Sequence, residues 1–212
     1  MIPANAFLEV NLKNLVSNYK YLSFINKNHI TGATIKANAY GLGDKKIINI
    51  LYNNGCRYFF VATLEEGLKM RSILPSADIH VFNGILPGWA EVMLEYNLRP
   101  VLNSLYQINL WLGHVEHMGK VPFADLQIDT GMSRLGLSMK EVVTFLENPA
   151  FSNAIKLDVV LSHMAAADTP DHRMNLVQLK LFQEFAPSFK AQRASLAASS
   201  AIFLGSDYHF DL

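Results

Sequence analysis

Lys36 is the residue whose position in this sequence most directly suggests chemistry. It follows a short apolar run at 33–35 and precedes a Gly-rich stretch at 37–43. The run has the pattern of a buried strand, and the stretch after it that of a turn into a helix. An amine held there with a buried stem is more readily neutral, because water no longer stabilises its ammonium form. Lys36 is therefore a candidate Schiff-base residue, and the alternative is a lysine that ends a strand and reaches solvent.

Further polar groups follow later strand candidates at the same relative position. Arg134 lies in the segment 129–134 after the fifth candidate, His163 ends the sixth, and Ser199 and Ser200 follow the seventh. In a parallel barrel, such strand ends converge at one mouth. Taken singly, each has a plainer interpretation: a surface ion-pair partner, a core histidine or the N-cap of a helix.

The chemistry of these groups is complementary. Ser199 and Ser200 open a short helical segment, whose free N–H groups and hydroxyls suit a phosphate. His163 could lie against a planar ring, and Arg134 offers a fork of donors for a carboxylate or phenolate oxygen. With an aldehyde held at Lys36, these features describe pyridoxal 5′-phosphate. A class I aldolase barrel would also need a Schiff-base lysine and a phosphate site.

The elements that position these residues alternate regularly along the chain. Short β-rich runs alternate with amphipathic segments, which predicts a parallel sheet, and several runs are apolar throughout, as in strands covered on both faces. An open doubly wound sheet and a (β/α)8 barrel both fit, and the number of units favours the barrel. The spacings Thr63–Glu66 and Ser138–Glu141 fit capping boxes at two helix starts. The strand candidates are 32–36, 58–62, 79–82, 99–102, 123–128, 157–161 and 194–197.

The eighth unit of that barrel is expected to be incomplete. A strand is predicted to begin near Tyr208, and the sequence ends at Leu212, whereas a barrel domain typically needs about 250 residues. Residues 1–212 are therefore predicted to form one (β/α)8-type barrel domain that stops in or near its eighth strand.

Composition excludes several function classes. Of 212 residues, 50% are hydrophobic, and Lys+Arg and Asp+Glu both number 18, so no single-sign field would attract nucleic acid or an anionic membrane. The N-terminus lacks a secretory pattern, and no apolar run approaches the roughly 18 residues of a membrane span. The single cysteine, Cys56, suits a reducing compartment. A soluble cytoplasmic protein without a metal site is expected.

Four motifs of the sequence resemble those of the alanine racemases, which are fold-type III pyridoxal-phosphate enzymes. They are KANAYGLG at 36–43, DTGMSRLG at 129–136, SHMA at 162–165 followed by Ala167 and Asp168, and SSA at 199–201. Their order and spacing agree over nearly the whole chain. The resemblance implies an isomerase that interconverts L-alanine and D-alanine for peptidoglycan precursors, and that acts as a homodimer when full length.

The resemblance also implies roles for individual residues. Lys36 would be the Schiff-base lysine and one of two catalytic bases. Tyr40 and Ser200 would contact the cofactor phosphate, and Ser199, which precedes Ser200 in the motif, is a further candidate cofactor-binding residue. His163 would lie near the pyridine ring. Arg134 would bind the cofactor's phenolic oxygen and the substrate carboxylate.

The sequence departs from the family pattern in two places. Gln127 stands where many members have a lysine, often carbamylated, so we expect no carbamate and a less strongly braced Arg134. The family's arginine at the pyridine nitrogen and its second base, a tyrosine of a C-terminal β-domain, would come after Leu212. We therefore expect that β-domain to be absent here, and these 212 residues alone to racemise poorly.

Two other functions remain compatible with these motifs. One is a non-catalytic, single-domain pyridoxal-phosphate-binding protein of the same barrel type. The other is a related pyridoxal-phosphate racemase or decarboxylase with another amino acid as substrate. A purely structural protein would leave the polar strand ends unexplained.

Overall fold

Seven parallel strands form one curled sheet, and each strand pairs with the next along the chain. The computed structural model describes residues 6–27, 29–116, 118 and 121–212. The strands are β1 (Ala33–Thr34), β2 (Tyr58–Val61), β3 (Asp78–Val81), β4 (Leu98–Leu102), β5 (Phe123–Gln127), β6 (Lys156–Leu161) and β7 (Arg193–Ser195).

Helices connect successive strands and cover the outside of the sheet. None of them, within the described ranges, is long and apolar enough to cross a membrane. They are α1 (Leu12–Ile25), α2 (Lys36–Tyr40), α3 (Asp44–Asn53), α4 (Leu64–Ile73), α5 (Ala90–Glu95), α6 (Leu105–Val115), α7 (Met139–Glu147), α8 (Pro149–Ser152), α9 (Arg173–Phe185) and α10 (Ser199–Ile202), with 3₁₀ turns at Ala186–Phe189 and Ser206–Tyr208.

The strand order decides between the two predicted architectures. A doubly wound sheet reverses its strand order at a switch point, whereas here the order runs from β1 to β7 without reversal. The barrel-type prediction is confirmed, and all seven predicted strands overlap observed ones. The first is shorter than predicted: Lys36 begins α2, although the N–H of Ile35 still donates to the carbonyl of Phe60 at 2.8 Å.

Two apolar layers explain why the strands are apolar on both faces. Outside the sheet, Trp111 and Phe182 are fully buried between strands and helices. Inside the curl, a second cluster comes from alternate strands and from the last residue of the sequence. The members of this inner cluster are Tyr58, Phe60, Val101, Val159, Leu161 and Leu212.

Pairing in the predicted eighth strand begins a few residues later than Tyr208. Gly205, at φ 119°, leads into the 3₁₀ turn Ser206–Tyr208, so this segment coils instead of extending. Backbone pairing begins only at the last two residues. The N–H of Leu212 donates to Ala194 at 3.1 Å, and the carbonyl of Asp211 accepts from the N–H of Ile30 at 2.9 Å. These residues therefore lie between β7 and the segment that leads into β1.

Inside the curl, the carboxylate of Asp125 has a buried histidine as its partner. His80 Nδ1 contacts Asp125 Oδ2, and both side chains are completely buried. The pairing register shifts on either side of Asp125, and the N–H of Val159 there donates to Asp125 Oδ1 at 3.1 Å. Asp125 thus satisfies two donors that water cannot reach.

A second carboxylate in this interior is bound by two arginines. Asp158 contacts Arg99 through one oxygen and Arg193 through the other. Burial nevertheless raises the pKa of Asp158, and the two guanidinium groups oppose that effect. The interior of the curl is therefore a closed network in which each of these cations has an acidic partner.

Removing the Asp125 carboxylate should destabilise the fold strongly. Asp125→Ala would leave the His80 imidazole and the Val159 N–H without partners in a dry interior, and we expect the free energy of unfolding to fall by about 3–5 kcal/mol. Urea denaturation measures this. The exposed Asp171→Ala is the control and should stay within about 0.5 kcal/mol of the parent chain. An Asp125→Ala loss as small as the control's would mean that the buried pair contributes nothing.

Candidate active site

Lys36 begins a turn of left-handed backbone. The four residues that follow it, 37–40, have φ between 53° and 55°, and none of them is glycine. Each such residue costs about 1–2 kcal/mol, because Cβ approaches the following carbonyl oxygen. Strained backbone of this kind concentrates at functional sites, where the surrounding structure holds it in place. The turn therefore marks Lys36 as functionally placed, independently of its residue type.

Local contacts support this turn from its far side. Ala39 is buried and belongs to the main hydrophobic core. The N–H of Gly41, itself at φ 85°, donates to Ala37 at 2.9 Å. The side-chain oxygen of Asn38 accepts from the N–H of Asp44 at 3.0 Å. The first turn of α3 is thus bonded to the strained segment.

The Lys36 amine faces two aromatic rings. Its Nζ lies 5.8 Å from the ring centroid of Tyr40 and 5.8 Å from that of Phe82. Tyr40 is exposed on one side, and burial of the rest raises the pKa of its phenol. At neutral pH the Tyr40 hydroxyl therefore keeps its proton and can donate a hydrogen bond to an anionic oxygen.

Arg134 is carried by the loop that follows β5. Asp129 Oδ1 accepts from the N–H groups of Gly131 (2.9 Å) and Ser133 (3.0 Å), which fixes the loop. Gly136, at φ 107°, has no room for a Cβ, since its nearest neighbours would be backbone atoms at 2.8 Å. The Arg134 side chain is exposed, and no described residue forms a hydrogen bond or ion pair with it.

The side chain of Gln127 contacts the backbone of this loop. The side chain is buried, and its Nε2 donates to the carbonyl of Leu135 at 3.2 Å. Within the described part of the chain it forms no bond with the Arg134 guanidinium. Gln127 therefore holds the backbone of the residue next to Arg134 and does not bind the Arg134 guanidinium itself.

His163 follows β6, and its imidazole is influenced by charges carried on the segments after β1 and β5. Burial lowers the pKa of His163, and the charges of Arg134 and Lys36 lower it further. The imidazole is consequently mostly neutral at pH 7. The joint roles of Lys36, Arg134 and His163 stay a prediction from the sequence.

Gln178 of α9 connects the two loops that carry Arg134 and His163. Its Nε2 donates to the carbonyl of His163 (2.9 Å) and to Thr130 Oγ1 (3.1 Å), and its Oε1 accepts from the N–H of Ala165 (2.8 Å). The side chain is completely buried. Gln178 therefore fixes the distance between the loops after β5 and β6.

Ser199 and Ser200 lie at the same edge of the sheet but apart from Lys36. They are the first two residues of α10, follow β7, and are exposed. Their N–H groups have no partner within the helix, as at any helix start. Among the described contacts, no hydrogen bond or ring contact joins either serine to Lys36 or Tyr40.

Sequence reasoning missed three contributors to this site. Phe82 was visible only as the end of a strand, and Gln178 only as one polar residue of a helix. Glu66 was recognised for its capping-box spacing, but its Oε1 also accepts from the N–H of Ala37 at 2.6 Å. A contact between residues 29 positions apart leaves no trace in a local pattern.

Comparison with known proteins identifies the family. The family model of the alanine racemase N-terminal domain matches residues 10–212. The chain belongs to the alanine racemase family. It is 41% identical over 206 residues to the alanine racemase of Rickettsia akari. That match covers 97% of this chain and 58% of the Rickettsia protein. It is 39% identical over 211 residues to that of Rhizobium meliloti, covering 100% of this chain and 55% of the relative.

A solved structure agrees with the sequence comparison. The crystal structure of alanine racemase from Bartonella henselae with covalently bound pyridoxal phosphate superimposes with a TM-score of 0.91 at 37% identity. The match covers 96% of this chain and 59% of that one. The chain therefore spans a little over half the length of these alanine racemases. Among its described residues, no group of three or more His, Cys, Asp or Glu side chains could hold a metal ion.

The pKa of His163 should report the charge of this site. We expect NMR titration to place it below the ordinary value of 6.5, and Arg134→Gln to raise it, because one of the two neighbouring positive charges is gone. Lys45→Gln removes an exposed charge from α3 and should leave the value unchanged.

The same shift predicts how stability depends on pH. The unfolded chain binds a proton at His163 at higher pH than the folded chain does, so the contribution of neutral His163 is lost as the pH falls below about 6.5. That loss should be smaller in Arg134→Gln. A His163 pKa above 6.5 would contradict the geometry described here.

Proposed function

We propose that this chain is the cofactor-binding barrel of an alanine racemase, which holds pyridoxal 5′-phosphate at Lys36. The observation that carries the proposal is the left-handed turn that begins at Lys36, at the barrel mouth, where the charges of Lys36 and Arg134 both lower the pKa of His163. The family match over residues 10–212 supports the same conclusion. The substrate would be alanine, the product would supply peptidoglycan synthesis, and the complete enzyme would act as a cytoplasmic homodimer.

The donors at the mouth fit an anionic cofactor. Lys36 and Arg134 are cations without a carboxylate partner among the described residues, and burial and these two charges lower the pKa of His163, which is mostly neutral at pH 7. Ser199 and Ser200 add hydroxyls and N–H groups at the start of α10, and Tyr40 adds a phenol. A phosphate, a phenolate and a carboxylate are the groups such donors bind.

Each of these residues would have its own role in cofactor binding or proton transfer. When bound, pyridoxal phosphate supplies an electron sink that makes the Cα–H of an amino acid acidic. Lys36 Nζ would bind the cofactor and then take or return the proton at Cα, as one of two bases. Arg134 would orient the substrate carboxylate. Tyr40 would hold the phosphate with Ser199 and Ser200.

His163 would contribute to the site by staying uncharged. An imidazole that stays unprotonated beside the cofactor adds no third positive charge to Lys36 and Arg134. It can therefore lie against a pyridine ring without competing for protons with the Lys36 amine.

Cofactor attachment can be tested on this chain directly. After incubation with pyridoxal phosphate and reduction with borohydride, peptide mass mapping should place the adduct on Lys36. Lys36→Ala should lose it, while Lys45→Ala, which removes an exposed lysine of α3, should keep it. Modification spread evenly over the surface lysines of the parent chain would refute the assignment.

Racemisation should depend on the same residue. We expect Lys36→Ala to lower the conversion of L-alanine to D-alanine by roughly 10²–10⁴-fold, the usual contribution of a positioned acid–base group. Chiral chromatography and deuterium uptake at Cα measure it, on this chain alone and fused to the C-terminal part of a homologous alanine racemase. An adduct on Lys36 without racemisation in either form would favour a non-catalytic cofactor-binding protein. Exchange of another amino acid but not alanine would favour a different racemase.

A further inference from the structure

Glu66 bonds two neighbouring strand ends through one carboxylate. It is the third residue of α4, the helix that follows β2. Its Oε2 accepts from the N–H of Ala62 at 2.8 Å, at the end of β2. Its Oε1 accepts from the N–H of Ala37 at 2.6 Å, the residue directly after Lys36. Bonds of this length to an ionised carboxylate are among the stronger hydrogen bonds of proteins.

The N–H of Ala37 needs such a partner because of where it lies. Pairing of β1 with β2 ends when the N–H of Ile35 donates to Phe60. The backbone bonds of the left-handed turn begin at Ala39, whose N–H donates back to Ile35 at 2.9 Å. The N–H of Ala37 takes part neither in the strand pairing nor in the backbone bonds of the turn. It donates instead to the carboxylate of Glu66.

Helix capping explains only half of this arrangement. The capping box of Thr63 and Glu66 accounts for Oε2, which also accepts from the N–H of Thr63 at 3.4 Å. It does not require Oε1 to reach another strand. In the equivalent box of Ser138 and Glu141, the second carboxylate oxygen also accepts from an amide outside the box, the N–H of Leu105, but at 3.5 Å. The 2.6 Å bond to Ala37 is much shorter, and it is the one that lies on the Lys36 turn.

We propose that Glu66 is a positioning residue for Lys36, holding the left-handed turn so that the amine faces the barrel mouth. This inference rests on the proposed function, since it concerns the lysine that would bind the cofactor. Without the Oε1 acceptor, the amide of Ala37 would turn toward solvent, and the four strained residues could relax to ordinary dihedrals. Lys36 would then lose its fixed direction although no atom of its own had changed.

Glu66→Gln and Glu66→Ala test the proposal, with Glu141→Gln and Glu141→Ala as matched controls. The controls remove the same capping box elsewhere in the barrel and do not touch the Lys36 turn. Thermal unfolding of the Glu141 variants measures the loss of a capping box with its longer bond to Leu105, and thermal unfolding of the Glu66 variants measures the loss of a capping box with the bond to Ala37. Gln keeps an acceptor oxygen and the side-chain volume, so Glu66→Gln provides a folded variant if Glu66→Ala does not fold.

Two readouts separate positioning from capping. The first is amide hydrogen exchange of the peptide that spans 36–41, measured without cofactor, which should speed up by roughly tenfold or more in the Glu66 variants only, as expected for loss of a charge-assisted hydrogen bond. The second is the rate of borohydride-trapped labelling of Lys36 by pyridoxal phosphate, relative to Lys45 in the same sample. We expect that ratio to fall roughly tenfold in the Glu66 variants and to stay at the parent value in the Glu141 variants.

The outcomes distinguish the two proposals. If the parent chain shows no preferential labelling of Lys36, the proposed function fails, and the exchange experiment alone still tests whether Glu66 holds the turn. If the parent labels Lys36 and the Glu66 variants match the Glu141 variants in both readouts, Glu66 is only a helix cap and the positioning role is overturned.

Discussion

Because each strand from β1 to β7 pairs in parallel with the next, every loop that follows a strand opens at the same edge of the sheet. The site depends on this constraint. Lys36 follows β1, Arg134 follows β5, His163 follows β6, and the two serines follow β7, so residues up to 164 positions apart share one mouth. Any other strand order would separate them, whatever their chemistry. Burial of two apolar layers, inside and outside the curl, stabilises that order.

The strained turn after β1 shows how the site uses this rigid frame. An isolated peptide with the sequence Ala-Asn-Ala-Tyr would not adopt four consecutive left-handed residues, because each is disfavoured. The frame imposes the conformation through bonds at both ends. Glu66 holds the first amide of the turn, and Asn38 ties it to the start of α3. The folded barrel thus holds a strained turn in place, and that turn fixes the direction of Lys36.

Local sequence patterns were sufficient for the elements and for the residues at their ends. Apolar runs located all seven strands, and their boundaries placed Lys36 and His163 at strand ends. The left-handed turn could not be foreseen, since alanine favours ordinary helix, and of its four residues only Asn38 tolerates positive φ well. Likewise, the bonds made by Glu66 and Gln178 depend on which elements become neighbours in space. The predicted eighth strand begins later than Tyr208, because a local glycine turn precedes the residues that pair at 211–212.

The interior of the curl and the mouth differ in how their charges are balanced. Inside the curl, Arg99 and Arg193 share Asp158, and the buried imidazole of His80 has Asp125, so that region is compensated within the protein. At the mouth, the charges of Lys36 and Arg134 both lower the pKa of His163, and no described carboxylate pairs with either cation. Arg134 is exposed and Lys36 is partly exposed, so both cations are open to a ligand from solvent. A ligand that carries a phosphate and a carboxylate would pair with them without breaking an internal ion pair, whereas the arginines of the interior already have partners, and this difference favours the mouth as the place where the proposed cofactor and an amino acid would bind.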